Sequence, residues 1–185
     1  MATALDHNPV AARALHEVET TTTPISPEHF ARLTGYAGRN QAPYLLATAW
    51  HRGLITTATL AAHVGDAWSG AEFPDRALEH HEWLELFDTA GFTIDGRPAP
   101  RPARPVTLWR GSVLEARANW SWTTDRAMAA RYASGEMNGR LPGRVYRVTA
   151  PPHALLAANN GRTEAEYVVD TWGLTIEADD TEEAA

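Results

Sequence analysis

Three features of this 185-residue sequence predict an α+β fold, with a helical front half followed by a compact split β-sheet core. Apolar residues recur at helical spacing from Ile25 to Gly91. After Val106 the pattern changes to short β-branched and aromatic runs separated by turn residues. Between the two halves, Arg97 to Pro105 carries Pro98, Pro100, Pro102 and Pro105, which forbids a helix and reads as an extended linker. The chain therefore divides into a polar, flexible leader (1–24), a helical segment (25–96), a Pro/Arg-rich linker (97–105), a β-rich core (106–178) and an acidic tail (179–185).

The leader ends at the Thr20–Thr23 run and Pro24; Ala11 to Val18 has helical character with little to hold it down. Ser26 before Pro27 and Glu28 is an N-cap with proline at the first helical position. Tyr44, Leu45, Ala49 and Trp50 make one apolar face that Gly53 ends, and Leu60, Val64 and Trp68 make a second. Pro74 and Asp75 open a third segment with Leu78, Trp83, Leu86 and Phe87 inward. In the core, strands are expected at Val106–Arg110, Asn119–Thr123, Arg144–Thr149, Glu166–Val169 and Leu174–Glu177. A short helix over Asp125–Ala133 is capped by Thr124 or Asp125. Asp179 to Ala185 is expected to be disordered.

Composition narrows the function. There are no cysteines, which excludes disulfides and thiolate metal sites. No apolar run reaches the roughly 18–20 residues that span a bilayer, and Met1 to Leu15 lacks the basic start and apolar centre of a signal peptide. A soluble, cytoplasmic protein is the expectation, acting in the producing or in a target cell. The net charge of −7 disfavours nucleic acid and anionic membrane as partners. All sixteen basic residues are arginines, and Arg97 to Arg147 alone carries a net +7. Arginine's planar fork suits phosphate, so an anionic ligand is expected near this segment.

Three stretches carry candidate chemistry. Leu108-Trp109-Arg110-Gly111 is a strand ending in arginine and glycine. Trp120-Ser121-Trp122-Thr123-Thr124-Asp125 leads into a helix with Ala129, Ala130, Tyr132 and Ala133. Thr163-Glu164-Ala165-Glu166-Tyr167-Val168-Val169 sets two carboxylates two residues apart at the entry to an apolar strand, where both can face one side.

In this order, the three stretches resemble the arginine–serine–glutamate class of mono-ADP-ribosyltransferases, the cholera-toxin-like group, and within it small phage and actinobacterial members. The resemblance covers Val106 to Val169. The usual Ser-Thr-Ser of the class is Ser121-Trp122-Thr123 here, and the interval from Arg110 to Ser121 is short. The resemblance implies an ADP-ribosyltransferase-like core with NAD as substrate, no metal, and an unidentified target protein modified on arginine. It implies Arg110, Ser121, Glu164 and Glu166 as catalytic residues, with Arg110, Gly111, Ser121, Thr123 and Glu166 binding NAD. Breaking the nicotinamide–ribose bond leaves an oxocarbenium-like ribose, which a fixed carboxylate at Glu166 stabilises. Arg110 would grip the pyrophosphate or ribose. Gly111, lacking a side chain, would let nicotinamide reach its backbone. Ser121 would orient Glu166 or the ribose, and Glu164 would position the acceptor.

Plainer readings exist for each residue. Arg110 also fits a strand-end arginine in a surface ion pair, Gly111 a turn, and Thr123 a strand threonine or helix cap. Trp122 points opposite to Ser121 and fits the core, and Tyr132 fits helix packing. Glu164 and Glu166 also fit a solvated strand edge. His80-His81-Glu82 lacks the spacing that puts two metal ligands on one helical face, and His29, His51 and His63 are scattered. The sequence has no phosphate-binding loop, dinucleotide fingerprint or nucleophile elbow, and the helical segment is expected to supply no catalytic residue. Two other functions stay open: an NAD glycohydrolase with water as acceptor, and an inactive interaction module of the same fold.

Overall fold

The computed structural model describes residues 9–135, 141–161 and 165–179, and it is α+β: helices first, then a sheet. The chain separates into two units, Met1–Pro98 and Ala99–Ala185, and the division falls inside the proline-rich stretch.

The first unit contains helices α1 (Pro9–Thr20), α2 (Pro27–Ala37), α3 (Ala42–His51), α4 (Thr57–Gly70), α5 (Pro74–Ala77) and α6 (His80–Ala90). Ser26 caps α2 by accepting the His29 amide at 3.2 Å, and Thr56 caps α4 by accepting the Thr59 amide at 3.2 Å. Glu82 reaches back to the Glu79 amide at 2.9 Å to start α6, so the His80-His81-Glu82 cluster spends its carboxylate on a helix terminus. Phe30, Leu45, Leu46, Leu60, Val64, Trp68, Trp83, Leu86 and Phe87 are all buried and form one core. Trp83 meets Trp68 edge-on at 5.1 Å and stacks on Phe87 at 5.8 Å. Tyr44, expected inside, is exposed; Leu46 takes the inward position.

Within the expected flexible leader, Pro9–Thr20 instead forms helix α1, and residues 1–8 lie outside the described part. Ala11, Ala14, Leu15 and Val18 form a stripe at helical spacing that is buried against α2 and α3. Full burial of Leu15 and Val18 contributes roughly 1.5–3 kcal/mol each, enough to hold a short helix whose own propensity is marginal. The third helical segment also differs. It breaks at Leu78, where the backbone is extended between α5 and α6. A hairpin then closes the unit: β1 (Thr93–Ile94) pairs antiparallel with β2 (Arg97–Pro98). Asp95 and Gly96 both have positive φ, 50° and 71°, as a two-residue type I′ turn demands. The start of the expected linker therefore belongs to this hairpin.

Among its described residues the second unit has six strands: β3 (Val106–Ser112), β4 (Ser121–Thr123), β5 (Arg144–Ala150), β6 (Leu155–Asn159), β7 (Glu166–Val169) and β8 (Ile176–Ala178). They lie in the order β6-β7-β4-β3-β5-β8, and these neighbours pair antiparallel. Helix α7 (Arg126–Ala133) follows β4, and Asp125 is its cap, accepting the Ala127 and Met128 amides at 2.9 and 3.2 Å. Strand β6 is an addition to the strands that the sequence pattern predicts. All five of its residues are buried, so it lacks the alternation that marks a half-exposed strand.

Asp179, the first residue of the expected disordered tail, is instead held in place. Its side chain is buried, and its Oδ2 accepts Trp109 Nε1 at 3.0 Å and Arg126 Nε at 2.8 Å. One carboxylate thus joins β3, α7 and the end of β8; the rest of the expected tail, residues 180–185, lies outside the described part. Among the described residues no helix is long and apolar enough to cross a membrane.

Candidate functional site

Residues directly opposite on antiparallel strands share a face. The registers therefore draw one row across the sheet: Asn159, Glu166, Thr123, Trp109, Arg147, Glu177. Ser121 lies two residues before Thr123, hence on the same face, diagonal to Glu166. Diagonal neighbours of this kind are roughly 7–8 Å apart, within reach of one ligand. Three of the residues that the sequence singles out, Ser121, Thr123 and Glu166, are therefore brought onto one face by β4 and β7. Glu166 is buried, as is Thr123, so Glu166 is not a solvated strand edge.

Thr123 Oγ1 accepts the Asp125 amide at 3.0 Å, which turns the chain from β4 into α7. Trp122 alternates to the other face and is 1% exposed, with its Nε1 donating to the Asn119 carbonyl at 2.8 Å. It is a core residue. Ala165, immediately before Glu166, has φ +43°, a left-handed conformation that costs an ordinary side chain about 1–2 kcal/mol. Strain of this sort collects beside functional residues, where the surrounding structure holds it in place.

Arg110 is placed differently. Strand alternation from Trp109 turns its side chain to the face opposite Ser121 and Glu166. Strand β3 pairs with β5 at every residue from Val106 to Ser112, but its register with β4 is limited to Trp109 and Thr123. The sheet therefore forks just after Trp109, and Arg110 sits in the fork. Its Nε donates to the Ala116 carbonyl at 3.0 Å and its Nη1 to the Ser121 carbonyl at 2.6 Å. Arg110 thus meets Ser121 through the main chain.

Gly111 is glycine for a packing reason. A Cβ there would strike the carbonyl of Ala129 and the amide of Ala133, so the backbone of α7 lies directly on this residue. The close approach of α7 is thus one reason for glycine here, beside the expected access of a ligand to its backbone. Tyr132 belongs to the same packing, its Cβ lying 2.9 Å from that position. Glu164 lies outside the described residues.

Sequence reasoning missed Asn159. It is buried, stands opposite Glu166 in the register, and its Nδ2 donates to Glu166 Oε2 at 3.4 Å. The signal available was a polar residue closing an apolar run, which is weak alone. Among the described residues no group of three or more His, Cys, Asp or Glu is placed to hold a metal. No protein-family model, curated protein or solved structure matches the chain.

Proposed function

We propose that the second unit is an ADP-ribosyltransferase-like core that transfers ADP-ribose from NAD to a protein side chain, with arginine as acceptor. One observation carries the reading. Ser121, Thr123 and a buried Glu166 share a face of two adjacent strands, beside a fork where Arg110 holds the Ser121 main chain. The order of these residues in the sequence, arginine, serine, glutamate, supports the same class.

In the reaction, the bond from ribose C1′ to the nicotinamide nitrogen breaks and nicotinamide leaves with the bonding electrons. Glu166 stabilises the positive charge that develops on the ribose, an effect strengthened by its burial. Ser121 orients the ribose or the carboxylate. Arg110 acts as a positioning residue, fixing the strand that carries Ser121, with NAD phosphate as a further contact for the arginine-rich surface. Glu164 orients the acceptor guanidinium and takes its proton as the new bond to C1′ forms.

The test is nicotinamide release and protein labelling, measured side by side with labelled NAD and a cell lysate. Glu166→Gln should lose about a hundred- to a thousandfold in both assays. Glu164→Gln should lose labelling and keep much of the slow cleavage by water. Cleavage without labelling in the wild type would make the protein an NAD glycohydrolase. Absence of both would leave an interaction module of this fold.

A further inference from the structure

We propose that Asn159 is a positioning residue for the Glu166 carboxylate, aimed at it by a bulge in β6; the proposal rests on Glu166 being the catalytic carboxylate of the function proposed above. Pairing of β6 with β7 runs Leu155 to Val169 and then Ala157 to Val168, so Leu156 is an extra residue. Without it, continuous register would set Ala158 against Glu166 and turn Asn159 to the other face. With it, Asn159 stands opposite Glu166, and its Nδ2 donates to Oε2. Bulges beside active sites commonly re-aim one side chain in this way.

The chemistry suits the task. Glu166 lies in a row between Asn159 and Thr123, two neutral hydrogen-bonding side chains, both buried. The nearest basic residue along the row is Arg147, three strands away and paired with Glu177 at 2.8 Å. A neutral amide donor such as Asn159 Nδ2 orients a carboxylate without itself bringing a positive charge to it. At 3.4 Å the contact is long, as catalytic hydrogen bonds often are before substrate tightens them.

The test uses the full chain with Asn159→Leu, which removes the donor, and Asn159→Asp, which keeps the shape and replaces the donor with a second carboxylate. Nicotinamide release gives kcat and KM for NAD, and carbon-13 NMR follows the Glu166 carboxyl. The expected result is a fall in kcat of about ten- to a hundredfold, the effect of losing one hydrogen bond to a charged group, with KM within about threefold and a displaced Glu166 resonance. Should Asn159→Leu fail to fold, Asn159→Asp carries the test. Unchanged kcat in a folded variant overturns the proposal, as does an activity loss matched by the loss of folded protein. An unmoved Glu166 resonance also overturns it. If the wild type does not cleave NAD, the functional reading has failed, and the resonance alone then decides: displaced, the Asn159–Glu166 coupling stands; unmoved, it falls.

Discussion

Replacing Arg110 by lysine separates two roles for an arginine at this position. The guanidinium makes charge-assisted hydrogen bonds to two carbonyls, Ala116 at 3.0 Å and Ser121 at 2.6 Å, from a half-buried site. Such bonds contribute about 1.5–3 kcal/mol each. An ammonium is a single point with three donors and cannot reproduce the planar fork that spans both carbonyls. Arg110→Lys should therefore lose about one of the two bonds, roughly 1.5–3 kcal/mol. Arg110→Met should lose both, and leaves the two carbonyls to find other partners. The strain falls on the loop from Ser112 to Ser121, since past Trp109 no further register joins β3 to β4. Hydrogen exchange reads this directly. A loss of about 2 kcal/mol in local opening speeds exchange roughly thirtyfold, and the amides of 116–121 should show it first. Calorimetry with NAD completes the comparison. A positioning role moves exchange and affinity together; a direct grip on NAD lowers affinity with exchange unchanged. If exchange in this loop is the same in wild type, Arg110→Lys and Arg110→Met, the positioning argument is wrong.

Other perturbations have equally definite outcomes. Gly111→Ala puts a methyl group into the backbone of α7; backbone cannot swing aside, so the loss should reach the upper part of the about 1–3 kcal/mol range for overpacking, and an undiminished urea midpoint would refute it. Asp179→Asn removes the charge that meets both Trp109 and Arg126 and should cost about 1.5–3 kcal/mol, whereas a side chain without those contacts would show no change in melting temperature. His63 packs edge-on against Phe30 at 5.1 Å, and burial pushes its pKa below the usual value, partly offset by Asp66. The folded state then binds this proton more weakly than the unfolded chain, so the contribution is complete above the unfolded value of about 6.5 and is lost as the pH falls through the lower folded value. Stability of the helical unit should therefore decline on acidification below about pH 6.5, with a shallower slope in His63→Leu; identical slopes would remove His63 as a cause.

Much of the secondary structure is legible because its signals are local. Ser26-Pro27 announces α2, the Leu60, Val64 and Trp68 spacing announces α4, and Asp125 announces α7. Each signal involves neighbours in the chain, where hydrogen-bond geometry and periodicity act directly. Asp95-Gly96 carries an equally clear hairpin signal, hidden by the proline-rich stretch that follows. Two elements have no comparable signal. Helix α1 is held by burial against helices that begin several residues later, and β6 is buried throughout, so neither periodicity nor composition distinguishes it.

The sequence by itself determined the order of elements, the change from helical to strand periodicity near Val106, and the place of each polar and charged residue within its element. Those follow from side-chain chemistry and from interactions within a few residues. Tertiary structure alone decided which of those residues meet. Glu166 lies 45 residues beyond Ser121 in the chain, and only the register of β4 with β7 puts both on one face. The bulge at Leu156 decided that Asn159 and not Ala158 stands against that carboxylate. The fork after Trp109 decided that Arg110 reaches main-chain carbonyls, and the seat of α7 gave residue 111 one reason to be glycine. The physical reason is common to all of them. A strand's faces alternate with period two, so a one-residue shift in pairing exchanges every side chain between the faces, and that shift is set by contacts between segments remote in sequence.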